Sequence, residues 1–150
     1  MAELVADPAD RDAWLAARRE GITATDITVI MGLVSWDSPW ALWHRKKGLI
    51  PEVAQSDRMR LGSWLEDQAA MEWLDGFDDD GGTGLERGGL YRSAERDWQL
   101  ATPDRLVLSV TKPDGVLECK TSASRDGWGD DRGEQVPAHV RAQVLWQMDT

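Results

Sequence analysis

The run from Ala101 to Thr121, ATPDRLVLSVTKPDGVLECKT, constrains this chain most. Asp104 precedes one β-rich stretch, and Glu118 and Lys120 lie in the next, with Pro113-Asp114-Gly115 as a turn signal between them. Side chains alternate between the two faces of a strand. Glu118 and Lys120 are therefore expected on one face and Cys119 on the other, toward a core. Two carboxylates and one amine at a sheet edge suit a divalent metal ion and a water, the combination that cleaves phosphodiesters. Magnesium prefers hard oxygen ligands and keeps several waters, so one or two carboxylates hold it. Asp104 and Glu118 supply these, the Cys119 backbone carbonyl can add another, and Lys120 would orient or deprotonate the attacking water.

The register poses a difficulty. A tight hairpin at Pro113-Asp114-Gly115 would set Thr111 against Val116 and Asp104 opposite Ala123. That is about five residues beyond Glu118, or ~17 Å along a strand, too far to share an ion. A bend near Pro103, or a wide or bulged connection, is therefore expected.

The spacing predicts helices elsewhere. Asp7 as cap, Pro8 in the first turn and Gly21 beyond the end mark the first. Thr23 with Asp26 forms a capping box for a short second helix ending near Gly32. Ser38, Pro39 and Gly48 bracket a third. A fourth runs from about Asp57 to Leu74, stopped by Gly76, with Met59, Gly62, Glu66, Ala69, Ala70 and Trp73 on one stripe. Glu66 either has a charged or polar partner there, because an unpaired buried carboxylate is costly, or reaches water from an edge. Residues 76–89 read as a loop, in which Asp78-Asp79-Asp80 lacks the ligand spacing of a calcium loop. Strands are expected near 89–93, 97–102, 106–111 and 116–121, and residues 122–135 form a polar loop. Pro137 opens a last helix with Val140, Val144 and Met148 on one stripe and Gln143 on another flank. The chain stops at Thr150 within that pattern, so a single domain truncated on its C-terminal side is expected.

At 150 residues the chain can bury an ordinary core. One cysteine excludes a disulfide framework, a cysteine-rich zinc site and an iron–sulfur cluster. The polar, acidic N-terminus is no signal peptide, and no apolar run reaches membrane-span length, so a cytoplasmic protein with no membrane partner is expected. The net charge of −10 counts against non-specific nucleic-acid binding. Arg45, Lys46, Lys47, Arg58 and Arg60 nevertheless form a local basic strip. Nine tryptophans against one Phe and one Tyr imply that Trp does most of the aromatic core packing. Base stacking by Trp36 or Trp128 is the alternative.

The order of several motifs resembles one family. These are W-x-x-x-R with GITATD (Trp14 to Asp26), SPWALWHRKKG (Ser38 to Gly48), G-x-x-x-E (Gly62 to Glu66), TPD (Thr102 to Asp104), LECKT (Leu117 to Thr121) and AQVLWQM (Ala142 to Met148). Together they resemble the lambda-exonuclease-like, YqaJ-type viral recombinase nucleases of the PD-(D/E)XK superfamily. The resemblance implies an α/β (α+β) fold with a restriction-endonuclease-like core, a central mixed β-sheet flanked by helices. It implies Asp104, Glu118 and Lys120 as metal ligands and water-activating amine, and gives Glu66 and Gln143 places in the catalytic site. Arg18 and Thr25 fall where the 5′-phosphate end of DNA is received.

The resulting expectation is a magnesium-dependent exonuclease, using one or two ions with manganese as a substitute. It would act 5′→3′ on linear double-stranded DNA ends and leave 3′ single strands for a phage-type annealing protein, in the host cell cytoplasm if phage-encoded. Relatives form rings around DNA, so a homotrimer is implied as an option. The alternatives are a RecB-like or restriction-type endonuclease and a catalytically silent DNA-binding module.

Overall fold

The computed structural model describes residues 2–77, 82–109, 112–130 and 135–150. The chain divides into two compact units, one of Met1–Glu52, Gly89–Thr102 and Ser124–Thr150, the other of Val53–Gly88 and Pro103–Ala123. The class is mixed α/β, with sheets flanked by helices, as expected.

The first unit holds β1 (Glu3–Ala6), α1 (Arg11–Arg18), α2 (Ala24–Ile30), α3 (Pro39–Lys46), β3 (Leu90–Arg92), β4 (Leu100–Ala101) and α5 (Ala138–Asp149). Its strands form an antiparallel sheet in the order β1-β3-β4. An isolated parallel bridge joins Ile22 to Gln99. Gly21 permits that approach, because a Cβ there would lie 2.4 Å from the Trp98 carbonyl oxygen.

Local chemistry sets the helix ends. Helix α1 is capped by Asp10, not Asp7; the Asp7 carboxylate instead accepts the Ala9 N–H at 2.8 Å and closes a turn ahead of the helix. The predicted capping box of α2 is complete, with the Asp26 N–H donating to Thr23 Oγ1 and the Thr23 N–H donating to Asp26 Oδ2. Ser38 caps α3, and Gly48 beyond it has φ +68°. On α5 the buried pair is Val140 and Gln147, while Met148 is 68% exposed. At about 100° per residue, a spacing of four drifts by ~80° over two repeats, whereas a spacing of seven nearly returns to the same face.

The tryptophans do not fill the core as expected. Trp36, Trp40, Trp43, Trp64 and Trp98 are exposed, and the most deeply buried side chains are Leu90, Leu100, Gln99 and Thr23. Small residues such as Ala24 and Ala101 line that interior and leave little room for an indole. Trp146 is tied by its ring N–H to the Leu100 carbonyl at 3.0 Å.

The second unit holds α4 (Asp57–Phe77), β2 (Thr83–Arg87), β5 (Arg105–Ser109) and β6 (Lys112–Leu117), with β5 central in an antiparallel sheet of order β2-β5-β6. Ser56 starts α4, its Oγ accepting the Met59 N–H at 3.2 Å. The predicted loop at 76–89 is corrected at both ends. Gly76 lies inside α4, and Thr83–Arg87 is a strand pairing residue by residue with β5. Ladder pairing outweighs the weak strand propensity of this glycine-containing run. The aspartate triplet at 78–80 lies outside the described residues.

The register question is answered in β5 and β6. The pairs are Arg105↔Leu117, Leu106↔Val116, Val107↔Gly115, Leu108↔Pro113 and Ser109↔Lys112. Pro113-Asp114-Gly115 is therefore not the turn; it lies within β6. Asp114 has no opposite residue, which makes it the predicted bulge, between Val107 and Leu108 on the facing strand. A proline is tolerated beside a bulge or at a sheet edge, where no ladder donor is required. Continued by one pair, this register sets Asp104 opposite Glu118.

Candidate active site

Asp104 sits one residue ahead of β5. Its Oδ2 accepts the backbone N–H of Cys119 at 2.8 Å, a bond across 15 positions of sequence. Strand β6 ends at Leu117, so Glu118, Cys119 and Lys120 lie just past it and not inside a strand as expected. Lys120 Nζ donates to Glu118 Oε1, and the Glu118 side chain is only 3% exposed. Cys119 is half-buried, not a core residue; its backbone, more than its sulfur, joins the arrangement.

Glu66 reaches the same neighbourhood from α4. Gly62, one turn earlier, faces the Thr121 hydroxyl, where an added Cβ would lie 3.7 Å away. A small residue there lets the helix run close to the segment after β6. Glu66 is half-buried, and burial pushes its carboxyl above the usual range; Glu118 and Asp67 add to this, while Lys120 and Arg105 oppose it. Burial is also the chief cause at Asp104, which rises from 3.8 to about 7. Glu118 and Glu66 push it further up, against the Cys119 N–H bond and Lys120. Glu66, Asp104, Glu118 and Lys120 thus feel one another's charge, and this unit brings the four together.

Two supports escaped sequence reading. Arg105 Nη1 donates to the Asp104 carbonyl at 2.6 Å, and its Nη2 pairs with Asp67, the residue after Glu66. The signal was present as a charged residue immediately following each acid. Gly88 is the other. Its N–H donates to the Asp104 carbonyl at 3.3 Å, and a Cβ on it would fall 1.9 Å from the Pro103 carbonyl oxygen.

The donor chemistry can be tested against a metal. Among the described residues, no group of three or more His, Cys, Asp or Glu forms a ready-made cage for an ion. The oxygens present are nevertheless hard donors, and the neighbouring carboxylates help raise the proton affinity of Glu66 and Asp104, the repulsion that a divalent cation relieves. Hard oxygen donors of this kind are the class that a magnesium-type ion retaining several waters accepts.

Arg18, Thr25 and Gln143 belong to the first unit. Gln143 is half-buried on α5. Thr25 is exposed in the first turn of α2, and its carbonyl accepts the Thr28 hydroxyl at 2.7 Å. The Arg18 guanidinium lies 4.4 Å from the centre of the Trp14 ring, and its Nη2 donates to Thr23 Oγ1 at 3.4 Å. Burial lowers its pKa, with Asp26 and Glu52 opposing.

No helix among the described residues is long and apolar enough to cross a membrane. The crystal structure of LHK-Exo in complex with dAMP is similar with a TM-score of 0.68 and 21% identity, covering 92% of this chain and 67% of that one. This likeness speaks for the lambda-exonuclease-like, PD-(D/E)XK type of fold. The uncharacterized protein YqaJ of Bacillus subtilis (strain 168) is 35% identical over 138 residues, or 89% of this chain. The chain spans 40% of the length of that relative. A shorter match, 29% over 90 residues, is to the signal recognition particle 54 kDa protein of Halobacterium salinarum; it covers 52% of this chain and 20% of that protein. The model of the YqaJ-like viral recombinase domain matches residues 13–150, and the chain accordingly belongs to that family.

Proposed function

We propose that this protein is a magnesium-dependent deoxyribonuclease acting 5′→3′ on linear duplex ends, with residues 1–150 forming the nuclease domain or part of it. The observation that carries this reading is the Asp104–Cys119 bond, which seats the aspartate beside the Glu118–Lys120 pair. Family membership and the fold shared with LHK-Exo, solved with dAMP, support it.

A cation held by Asp104, Glu118, Glu66 and the Cys119 carbonyl would supply Lewis acidity and a water of lowered pKa. The protein's own groups do the rest. Lys120 holds Glu118 through its ammonium, and its role is to orient the attacking water. Gln143, on α5, is the remaining member of the proposed catalytic set. Arg18 and Thr25 receive the 5′-phosphate, and among the described residues Arg18 forms no ion pair that would spend its charge.

The test is digestion of end-labelled linear duplex with and without magnesium. Asp104→Ala and Lys120→Ala are each expected to lower the rate by at least ~100-fold while the circular-dichroism spectrum stays native. Wild-type rates in either variant overturn the mechanism. Cutting of closed circular DNA would replace the exonuclease by an endonuclease. Equal rates on 5′-phosphate and 5′-hydroxyl ends would remove the polarity argument.

A further inference from the structure

We infer that Lys46 is a positioning residue for the anion pocket around Arg18 and Thr25, an inference that rests on the phosphate-end reading above. Lys46 is in the last turn of α3, far in sequence from both. Its Nζ donates to the Arg18 carbonyl at 2.6 Å and the Gly21 carbonyl at 2.7 Å, and pairs with Asp26 Oδ2 at 2.5 Å. An ammonium has three hydrogens, and all three directions are used. Lys46 therefore has no donor left for a ligand; it is a brace.

What it braces is specific. The two carbonyls belong to the end of α1, where Arg18 stands, and to the glycine that leads into α2. The carboxylate belongs to the capping box that starts α2, one residue beyond Thr25. The Asp26 and Lys46 side chains are 8% and 20% exposed, so the pair is largely withdrawn from water. Asp26 Oδ2 also accepts the Thr23 N–H at 2.8 Å. With that oxygen held by Thr23 and Lys46, the acid facing Arg18 is already compensated, and the guanidinium stays available to an incoming anion. Lys46 also ties the main chain at Arg18 and Gly21 and the Asp26 side chain, next to Thr25 on α2, to one nitrogen.

Two roles can be separated. If Lys46 only neutralises Asp26, removing both charges should cost nothing further. If its bonds to the Arg18 and Gly21 carbonyls set the pocket, removing both charges restores stability without restoring recognition.

The experiment measures equilibrium binding of duplexes with 5′-phosphate and with 5′-hydroxyl ends, in EDTA so that no digestion occurs. Thermal unfolding is recorded on the same samples. The intact protein is compared with Lys46→Met, with Lys46→Met combined with Asp26→Asn, and with Arg18→Ala. Wild type is expected to prefer the phosphorylated end by about tenfold, the yield of one charge-assisted contact. Lys46→Met should lose both stability and preference. The double variant should regain the melting temperature and still bind both ends alike. A double variant that regains the preference, or a Lys46→Met variant that keeps it while Arg18→Ala loses it, overturns the inference alone. Absence of any preference in wild type, or its survival in Arg18→Ala, overturns the phosphate-end reading and this inference with it.

Discussion

Replacing Asp104 by asparagine should stabilise the metal-free protein above neutral pH while destroying its proposed activity. Burial, Glu118 and Glu66 hold this carboxyl at about 7 against an ordinary 3.8. Between those two values the unfolded chain has released the proton and the folded chain has kept it. The folded state then binds more protons, and stability falls as pH rises through that window. At ~1.4 kcal/mol per pH unit, the gap of about three units sets a ceiling of about 4 kcal/mol. Asp104 is only half-buried, so water screens part of this, and roughly 2 kcal/mol is the working expectation. Asparagine has no charge to desolvate, and its Oδ1 can still accept the Cys119 N–H. The variant should therefore be more stable than wild type by about that amount at pH 8, with the difference shrinking steadily toward pH 5. Urea unfolding in EDTA at pH 5, 6, 7 and 8 measures it. A variant no more stable than wild type at pH 8, or a difference that does not change with pH, would falsify the account of a strained carboxylate cluster. Added magnesium should stabilise wild type more than the variant, since only wild type has the full proposed ligand set.

Two further outcomes follow from the supports of Asp104. Gly88→Ala puts a methyl group into the Pro103 carbonyl; overpacking of this kind costs about 1–3 kcal/mol, and DNA digestion should fall with stability because Asp104 is displaced. Wild-type activity in this variant would show that the contact does not position the aspartate. Arg105→Met leaves Asp67 with Arg87, at 2.7 Å, and leaves the Asp104 carbonyl with the Gly88 N–H. A loss of ~1 kcal/mol is expected for breaking a pair whose acid is 48% exposed, together with a further rise of the Glu66 pKa, readable by carboxylate NMR.

Much of this arrangement was legible because its signals are local. The α2 capping box and the α3 brackets at Ser38, Pro39 and Gly48 each act within one or two turns, and the folded chain shows them as expected. The reversal between β5 and β6 was not legible in the same way. Pro113-Asp114-Gly115 carries a strong turn composition, yet pairing along β5 placed those residues inside a strand. The stripe on α5 failed for a geometric reason, since a spacing of four drifts around a helix and Gln147 returns above Val140. For the site, the acids and Lys120 were visible as a pattern, and the need for a register change was visible from its length arithmetic. Arg105 and Lys46 were not, because their partners come from remote segments and only the fold brings them into reach.

The bond from the Cys119 main chain to Asp104 bears on which substitutions this chain could accept. The hydrogen that fixes the aspartate belongs to the peptide, so the identity of the side chain at this position is almost free. Serine, alanine or valine could stand there with the aspartate still anchored, and proline alone would remove the donor. The thiol is also raised above its ordinary pKa by burial and by Asp104, which keeps it protonated and a poor nucleophile. Oxidants and alkylating agents should therefore find little to attack beside the proposed catalytic groups, and the position is open to drift in every respect but one.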